Sequence, residues 1–261
     1  MKIIRIYMGN ALRNYCHIIA CEESNEAIVI DPLDAKKCLK KASELNLNIT
    51  KIINTHEHFD HIEGNPGIVS ATGAKIFAHA NAITNIPNVD KGLKAGDIVE
   101  VGNTVRLRVL DTPGHTMAHV CLVSEIGEPA LICGDTLFNA SAGNCLYGGD
   151  VHEMYKTFVS QLAKLPDNTA IYPGHDYIVN NLNFALSLEP NNHFAKELLA
   201  TVNEQNPEQR LVTTMSIEKK INPFFRLNNQ EIISSLKQNF TDLKEDPESV
   251  FTRLRKVRDS W

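Results

Sequence analysis

Residues 55–61 read THEHFDH, three histidines and two acids within seven positions, directly behind the apolar pair Ile52 and Ile53. The preceding run NITKIIN has the β-rich character of a buried strand, so the cluster falls where that strand ends. On extended backbone His56 and His58 share a side, and Asp60 and His61 follow as the chain turns. Leaving so many titratable groups unpaired at a strand end is costly, and a metal ion resolves that cost. Four donors are too few for two ions. The rest of the chain offers three more in the same local context: His115 in DTPGHT, Asp135 in ICGDT and His175 in YPGH. Each follows an apolar run and stands beside a glycine that lets backbone approach closely. Seven donors from four strand ends describe a two-metal centre. Imidazole with carboxylate suits zinc, iron(II) or manganese, and the lack of a thiolate ligand argues against a structural cysteine-type zinc site. His17, His79, His119, His152 and His193 lack this context and read as hydrogen-bonded core or surface residues.

The chain is 261 residues long and 43% hydrophobic, enough for one large core, or one core plus a modest appendage. A formal charge of -5 provides no positive field for nucleic acid or an anionic membrane. No signal-peptide pattern opens the sequence and no apolar run reaches membrane-spanning length, so a soluble, cytoplasmic protein acting on a small molecule is expected. Six cysteines, with no CxxC pair, read mostly as reduced and buried; Cys145 stands apart in a glycine-rich polar loop.

Up to residue 175 short β-rich runs alternate with turns, and AKKCLKKASELN has the periodicity of an amphipathic helix. A second helix is expected over 151–165, with Met154, Phe158, Leu162 and Leu165 on one face and Pro166 closing it. From residue 176 the texture becomes helical throughout. The last helix has a defined start, with Asp246 as N-cap, Pro247 at the first helical position and Glu248 in the first turn. An α/β domain over 1–175 followed by a small helical domain over 176–261 is the expected organisation.

THEHFDH, DTPGHT, GDTLF and YPGHDYIVNNLNFAL, in that order, resemble the metallo-β-lactamase superfamily and, within it, the glyoxalase II (hydroxyacylglutathione hydrolase) family. EPNN, NPFFRL and the terminal RKVRD resemble that family's helical domain, so the likeness spans nearly the whole chain. It implies an αββα sandwich with the site on one edge, followed by an all-helical substrate-binding domain. It also implies a distribution of ligands: His56, His58 and His115 on one ion, Asp60, His61 and His175 on the other, and Asp135 bridging both. Two ions about 3.5 Å apart would lower the pKa of a shared water, and the bridging hydroxide would attack a thioester carbonyl polarised by a metal. Asp60, besides ligating, would orient that hydroxide.

The implied reaction is hydrolysis of S-(2-hydroxyacyl)glutathione, S-D-lactoylglutathione above all, to glutathione and D-lactate. Tyr147, Tyr177, Arg255 and Arg258 match positions that hold glutathione in the family. The two arginines share a helical face at i, i+3. Cys145 departs from the pattern, standing where a lysine or arginine is expected, so one charge-assisted contact to the ligand is absent. Other readings of the same scaffold are a mononuclear iron persulfide dioxygenase, a different thioester or lactone hydrolase, a nuclease, and a metal-dependent binding module. The full helical extension weighs against the dioxygenase, and the acidic balance against the nuclease. Open coordination positions weigh against a purely structural metal. A monomer or weak homo-oligomer is expected.

Overall fold

The computed structural model describes residues 1–261. Two compact units divide the chain: Met1–Thr112 with Ala118–Gly134 and Tyr172–Asp176, and Pro113–Met117 with Asp135–Ile171 and Tyr177–Trp261. This line differs from the one expected at 175/176, because residues 135–171 pack with the helical tail.

In the first unit, β1 (Lys2–Tyr7), β2 (Tyr15–Ala20), β3 (Glu26–Ile30), β4 (Asn48–Asn54), β5 (Lys75–His79) and β6 (Lys91–Leu93) lie in sequence order across one sheet. The first three strands pair antiparallel and the remainder parallel. Parallel pairing requires crossovers. These are made by α1 (Ala35–Glu44) between β3 and β4, and by α2 (Phe59–Ile62) and α3 (Asn65–Thr72) between β4 and β5. Asp34 caps α1 through Lys37 N, and the left-handed Gly73 ends α3.

The period of two sorts the strand residues. Ile18, Val29 and Ile52 face a core shared with Cys38 of α1 and Ile68 of α3. Ile19, Ile28 and Ile53 face the opposite way, against Val99, Leu107, Val109 and Leu122 of a second sheet. That sheet is the antiparallel meander β7 (Ile98–Val101), β8 (Val105–Asp111), β9 (Val120–Ser124) and β10 (Ala130–Gly134), completed beside β10 by the strand Ala170–Pro173. Apart from His17 of β2, which packs on Tyr172, these faces are apolar, so the two sheets meet through a packed apolar layer.

The second unit holds the short hairpin β11 (Leu137–Phe138) and β12 (Ser141–Ala142), then α4 (Val151–Ser160), α5 (Ile178–Leu188), α6 (His193–Asn203), α7 (Met215–Ile221), α8 (Gln230–Lys237) and α9 (Pro247–Asp259). The helix expected over 151–165 breaks at Gln161, where φ -121 and ψ -64 are not helical, and resumes as a 3-10 turn over Leu162–Lys164. Met154, Phe158 and Leu162 are nonetheless all buried. Asp246 caps α9 through Ser249 N, with Pro247 following, as its sequence predicts. Phe158, Phe224 and Phe251 form an aromatic centre with ring centroids 5.0–6.3 Å apart.

Candidate metal centre

β4 ends at Asn54, and the next seven residues are THEHFDH. Buried side chains hold the turn. Asn54 Nδ2 donates to His61 O at 2.9 Å, which closes the loop on itself. Asp31, at the end of the neighbouring parallel strand β3, accepts from Thr55 N at 2.7 Å and from Thr55 Oγ1 at 2.6 Å. Parallel strands place their C-terminal ends at one edge of the sheet, which is why Asp31 reaches Thr55.

His61 Nε2, His175 Nε2 and Asp60 Oδ2 face one another as a triangle with sides of 3.2, 3.5 and 3.5 Å. A tetrahedral ion with bonds of about 2.05 Å has ligand–ligand edges of about 3.3 Å, so this triangle fits a zinc-sized divalent ion. The protonation pattern fits as well. His61 Nδ1 lies 3.0 Å from Asp31 Oδ2 and His175 Nδ1 lies 2.7 Å from Leu12 O, both acceptors. Each ring therefore keeps its proton on Nδ1 and turns the Nε2 lone pair inward. Three inward-facing acceptors repel one another without a cation between them. Asn14 Nδ2 donates to Asp60 Oδ2 at 2.9 Å and holds that carboxylate in place.

His56 and His58 form a second group on the same loop. His56 Nε2 and His58 Nδ1 are 3.1 Å apart. Thr55 Oγ1, whose proton goes to Asp31, is 3.0 Å from His56 Nδ1 and so accepts from it. Once more the lone pair is left on Nε2, the atom turned toward His58. His119, expected to be a core residue, is fully buried, stacks on His56 at 5.1 Å and has Thr112 Oγ1 2.9 Å from its Nδ1.

In the second unit His115 Nε2 and Asp135 Oδ2 are 3.6 Å apart. His115 donates through Nδ1 to Asn144 O at 2.7 Å, the same tautomer as His61 and His175. All seven expected ligands thus have their ligating atoms turned toward at least one other expected ligand.

The expected glutathione residues are placed less uniformly. Tyr177 opens α5 with its ring 5.3 Å from Phe138. Tyr147 is 71% exposed. Arg258 donates to Asn181 Oδ1 at 2.9 Å, while its buried Nε has no partner. Arg255 is only 5% exposed and is committed to Ala142 O at 2.6 Å, Gly143 O at 3.0 Å and Asp259 at 3.0 Å. Its guanidinium is engaged inside the protein. Burial pushes the Cys145 thiol up to about 12, with the nearby charge of Arg255 opposing the shift.

Asp31, Thr55 and Asn14 were not read from the sequence as site residues. The signal for Asp31 is present in AIVIDP, an acid at the end of an apolar strand. Only the parallel pairing of β3 with β4 shows that it meets THEHFDH.

Residues 10–175 match the model of the metallo-beta-lactamase superfamily, and residues 176–261 match that of the hydroxyacylglutathione hydrolase C-terminus. Hydroxyacylglutathione hydrolases from Polaromonas sp. (strain JS666) and Nitrosococcus oceani are 51% and 52% identical over 263 residues, covering the whole of both chains. The chain belongs to the hydroxyacylglutathione hydrolase family of the metallo-beta-lactamase superfamily. A family member from Maricaulis maris is 38% identical, across 95% of this chain and 94% of its own. Among solved structures, ETHE1 from Myxococcus xanthus superposes with a TM-score of 0.68 at 25% identity, covering 100% of this chain and 99% of that one. TTHA1623 in a di-iron-bound form gives 0.60 at 24%, over 85% and 99%, which shows a shared fold. The fold is that of a metal-dependent hydrolase, and its histidine and aspartate clusters bring their ligand atoms within 4.8 Å of one another, close enough to hold a divalent ion.

Proposed function

We propose that this chain is a dinuclear-metal thioesterase that hydrolyses S-(2-hydroxyacyl)glutathione, S-D-lactoylglutathione first, to glutathione and D-lactate. The observation that carries the reading is a junction. His175, whose Nε2 completes the ligand triangle, is followed within two residues by Tyr177, at the start of the segment matching the hydroxyacylglutathione hydrolase C-terminus. His56, His58 and His115 would hold one ion, Asp60, His61 and His175 the other, with Asp135 shared. Zinc suits this set, and iron or manganese is compatible with it. Two bound divalent ions supply a low-pKa water and polarise a carbonyl oxygen.

The protein's own groups do the rest. Asp31, Leu12 O and Asn144 O fix the histidine tautomers, so the donor atoms are set before substrate arrives. Asn14 keeps Asp60 directed at the reacting centre. Tyr177, Tyr147 and Arg258 are the candidate contacts for the glutathionyl moiety. Arg258 is the better placed of the two arginines because it makes one side-chain bond, to Asn181, whereas Arg255 makes three inside the protein. A thiolate leaves as a stable anion, so no strong general acid is required. A small-molecule thioester as the only partner, a cytoplasmic location and a monomeric or weakly associated state complete the reading.

Purified protein should cleave S-D-lactoylglutathione and carry two equivalents of transition metal by elemental analysis. Asp135→Ala should lower kcat/KM by about a thousandfold, equivalent to about 4 kcal/mol of transition-state stabilisation. Indifference of the wild-type protein to that thioester would sink the proposal.

A further inference from the structure

We propose that Glu218 is a positioning residue for the loop that begins at Asp135 and ends at Asn144, an inference that rests on the two-ion reading above. Glu218 lies in α7 with no exposed surface. Four donors converge on its carboxylate. Ala140 N donates to Oε2 at 2.9 Å, Thr213 Oγ1 to Oε1 at 2.7 Å, Asn139 Nδ2 to Oε1 at 3.3 Å, and Asn222 Nδ2 to Oε2 at 3.1 Å. Ala140 has φ +59, the left-handed region that a Cβ disfavours, at the tip of the β11–β12 hairpin. Its N–H points out of the hairpin into a dry interior and needs an acceptor there. Glu218 is that acceptor.

The clamp continues along the loop. Asn222 Nδ2 also donates to Ser141 O at 3.0 Å, Asn181 Nδ2 to Asn139 O at 2.9 Å, and Arg255 Nη1 to Ala142 O and Gly143 O. Residues 139–143 are therefore tied to helical elements by side chains rather than by a sheet. Both flanks of this segment carry the chemistry. Asp135 precedes it, and Asn144 O, directly after it, accepts the Nδ1–H that turns His115 Nε2 toward Asp135. A buried carboxylate carries a desolvation cost, and burial accordingly pushes Glu218 upward. Ordinary helix packing has no need of such a group, whereas holding a left-handed turn in register between two ligands does.

The test uses full-length Glu218→Gln, which must place an amide nitrogen against two of the four donors, since each carboxylate oxygen accepts from two. Glu189→Gln serves as the control, since Glu189 is a buried carboxylate of the same unit bound to Arg226, Asn192 and Asn229, with none of residues 135–144 among those partners. Three quantities are read: zinc retention against a chromophoric chelator, the visible spectrum of the cobalt(II)-loaded protein, and the melting temperature. Glu218→Gln is expected to weaken zinc retention about ten- to a hundredfold and to shift the cobalt spectrum. Glu189→Gln, at an equal or larger loss of melting temperature, should retain wild-type values of both. Metal loss in the two variants in proportion to their loss of melting temperature, or wild-type retention in Glu218→Gln, overturns the positioning role while leaving the two-ion reading intact. Should Glu218→Gln fail to fold, Thr213→Val, which deletes one donor, is judged by the same criteria. A wild-type chain that binds no transition metal at all overturns the two-ion reading, and the inference with it.

Discussion

At the scale of single residues, the site depends on which nitrogen of each histidine carries the proton. That choice is made by groups outside the motif: Asp31 for His61, Leu12 O for His175 and Asn144 O for His115. His17 shows the opposite situation. It is 2% exposed, its Nε2 has no partner, and burial, with the charge of Arg5 adding to it, lowers its pKa to about 3. In the unfolded chain the same ring protonates near 6.5. The unfolded state therefore binds more protons between those two values, so stability is full above pH 6.5 and falls as pH drops through the window. The slope is about 1.4 kcal/mol per pH unit for one proton. Urea unfolding at pH 6.5 and pH 5 should show wild type losing about 2 kcal/mol more than His17→Phe, since protonation of the metal ligands is common to both. Equal losses in the two proteins would count against a buried, neutral His17.

At the scale of elements, the β11–β12 hairpin carries more than its two-residue strands suggest. Gly143 N bonds Thr136 O at 3.1 Å, and a Cβ on Gly143 would collide with the Asp135 carbonyl oxygen. Gly143→Ala must therefore displace the backbone next to Asp135. Overpacking of this kind costs about 1–3 kcal/mol of stability, and the displacement should reduce thioester hydrolysis by more than about a hundredfold. Kinetics together with urea unfolding checks both effects. A variant with wild-type kcat would show that the close approach at Gly143 does not govern the site.

For the molecule as a whole, bound ions should act as a cross-link between chain segments far apart in sequence. His61 lies in α2 and His175 follows Pro173, 114 positions apart in sequence, yet their Nε2 atoms are 3.2 Å apart. In the native state alone these acceptors are gathered, so metal binds the folded form and stabilises it by linkage. The stabilisation is about 4 kcal/mol at a free-ion concentration a thousandfold above Kd. Treatment with a strong chelator should lower the melting temperature by several degrees, and re-addition of zinc should restore it. An unchanged melting curve after verified metal removal would argue against native-state ligand convergence. No helix is long and apolar enough to cross a membrane.

The sequence by itself determined the fold class and the family, and it marked the histidines and aspartates at the strand ends as candidate ligands. The near-continuous apolar runs of β2, β3 and β4, buried on both faces, the Asp246 cap of α9 and the HxHxDH spacing are all local, and local patterns survive in one dimension. It did not determine that Asp31 serves Thr55 and His61, that Arg255 is spent on backbone carbonyls, that Glu218 anchors the turn at Ala140, or that the helix after Val151 stops at Ser160. Each of these depends on which segments meet in space. A hydrogen bond between residues 24 to 113 positions apart leaves no periodic trace along the chain, and only the packed sheets and helices decide its partners.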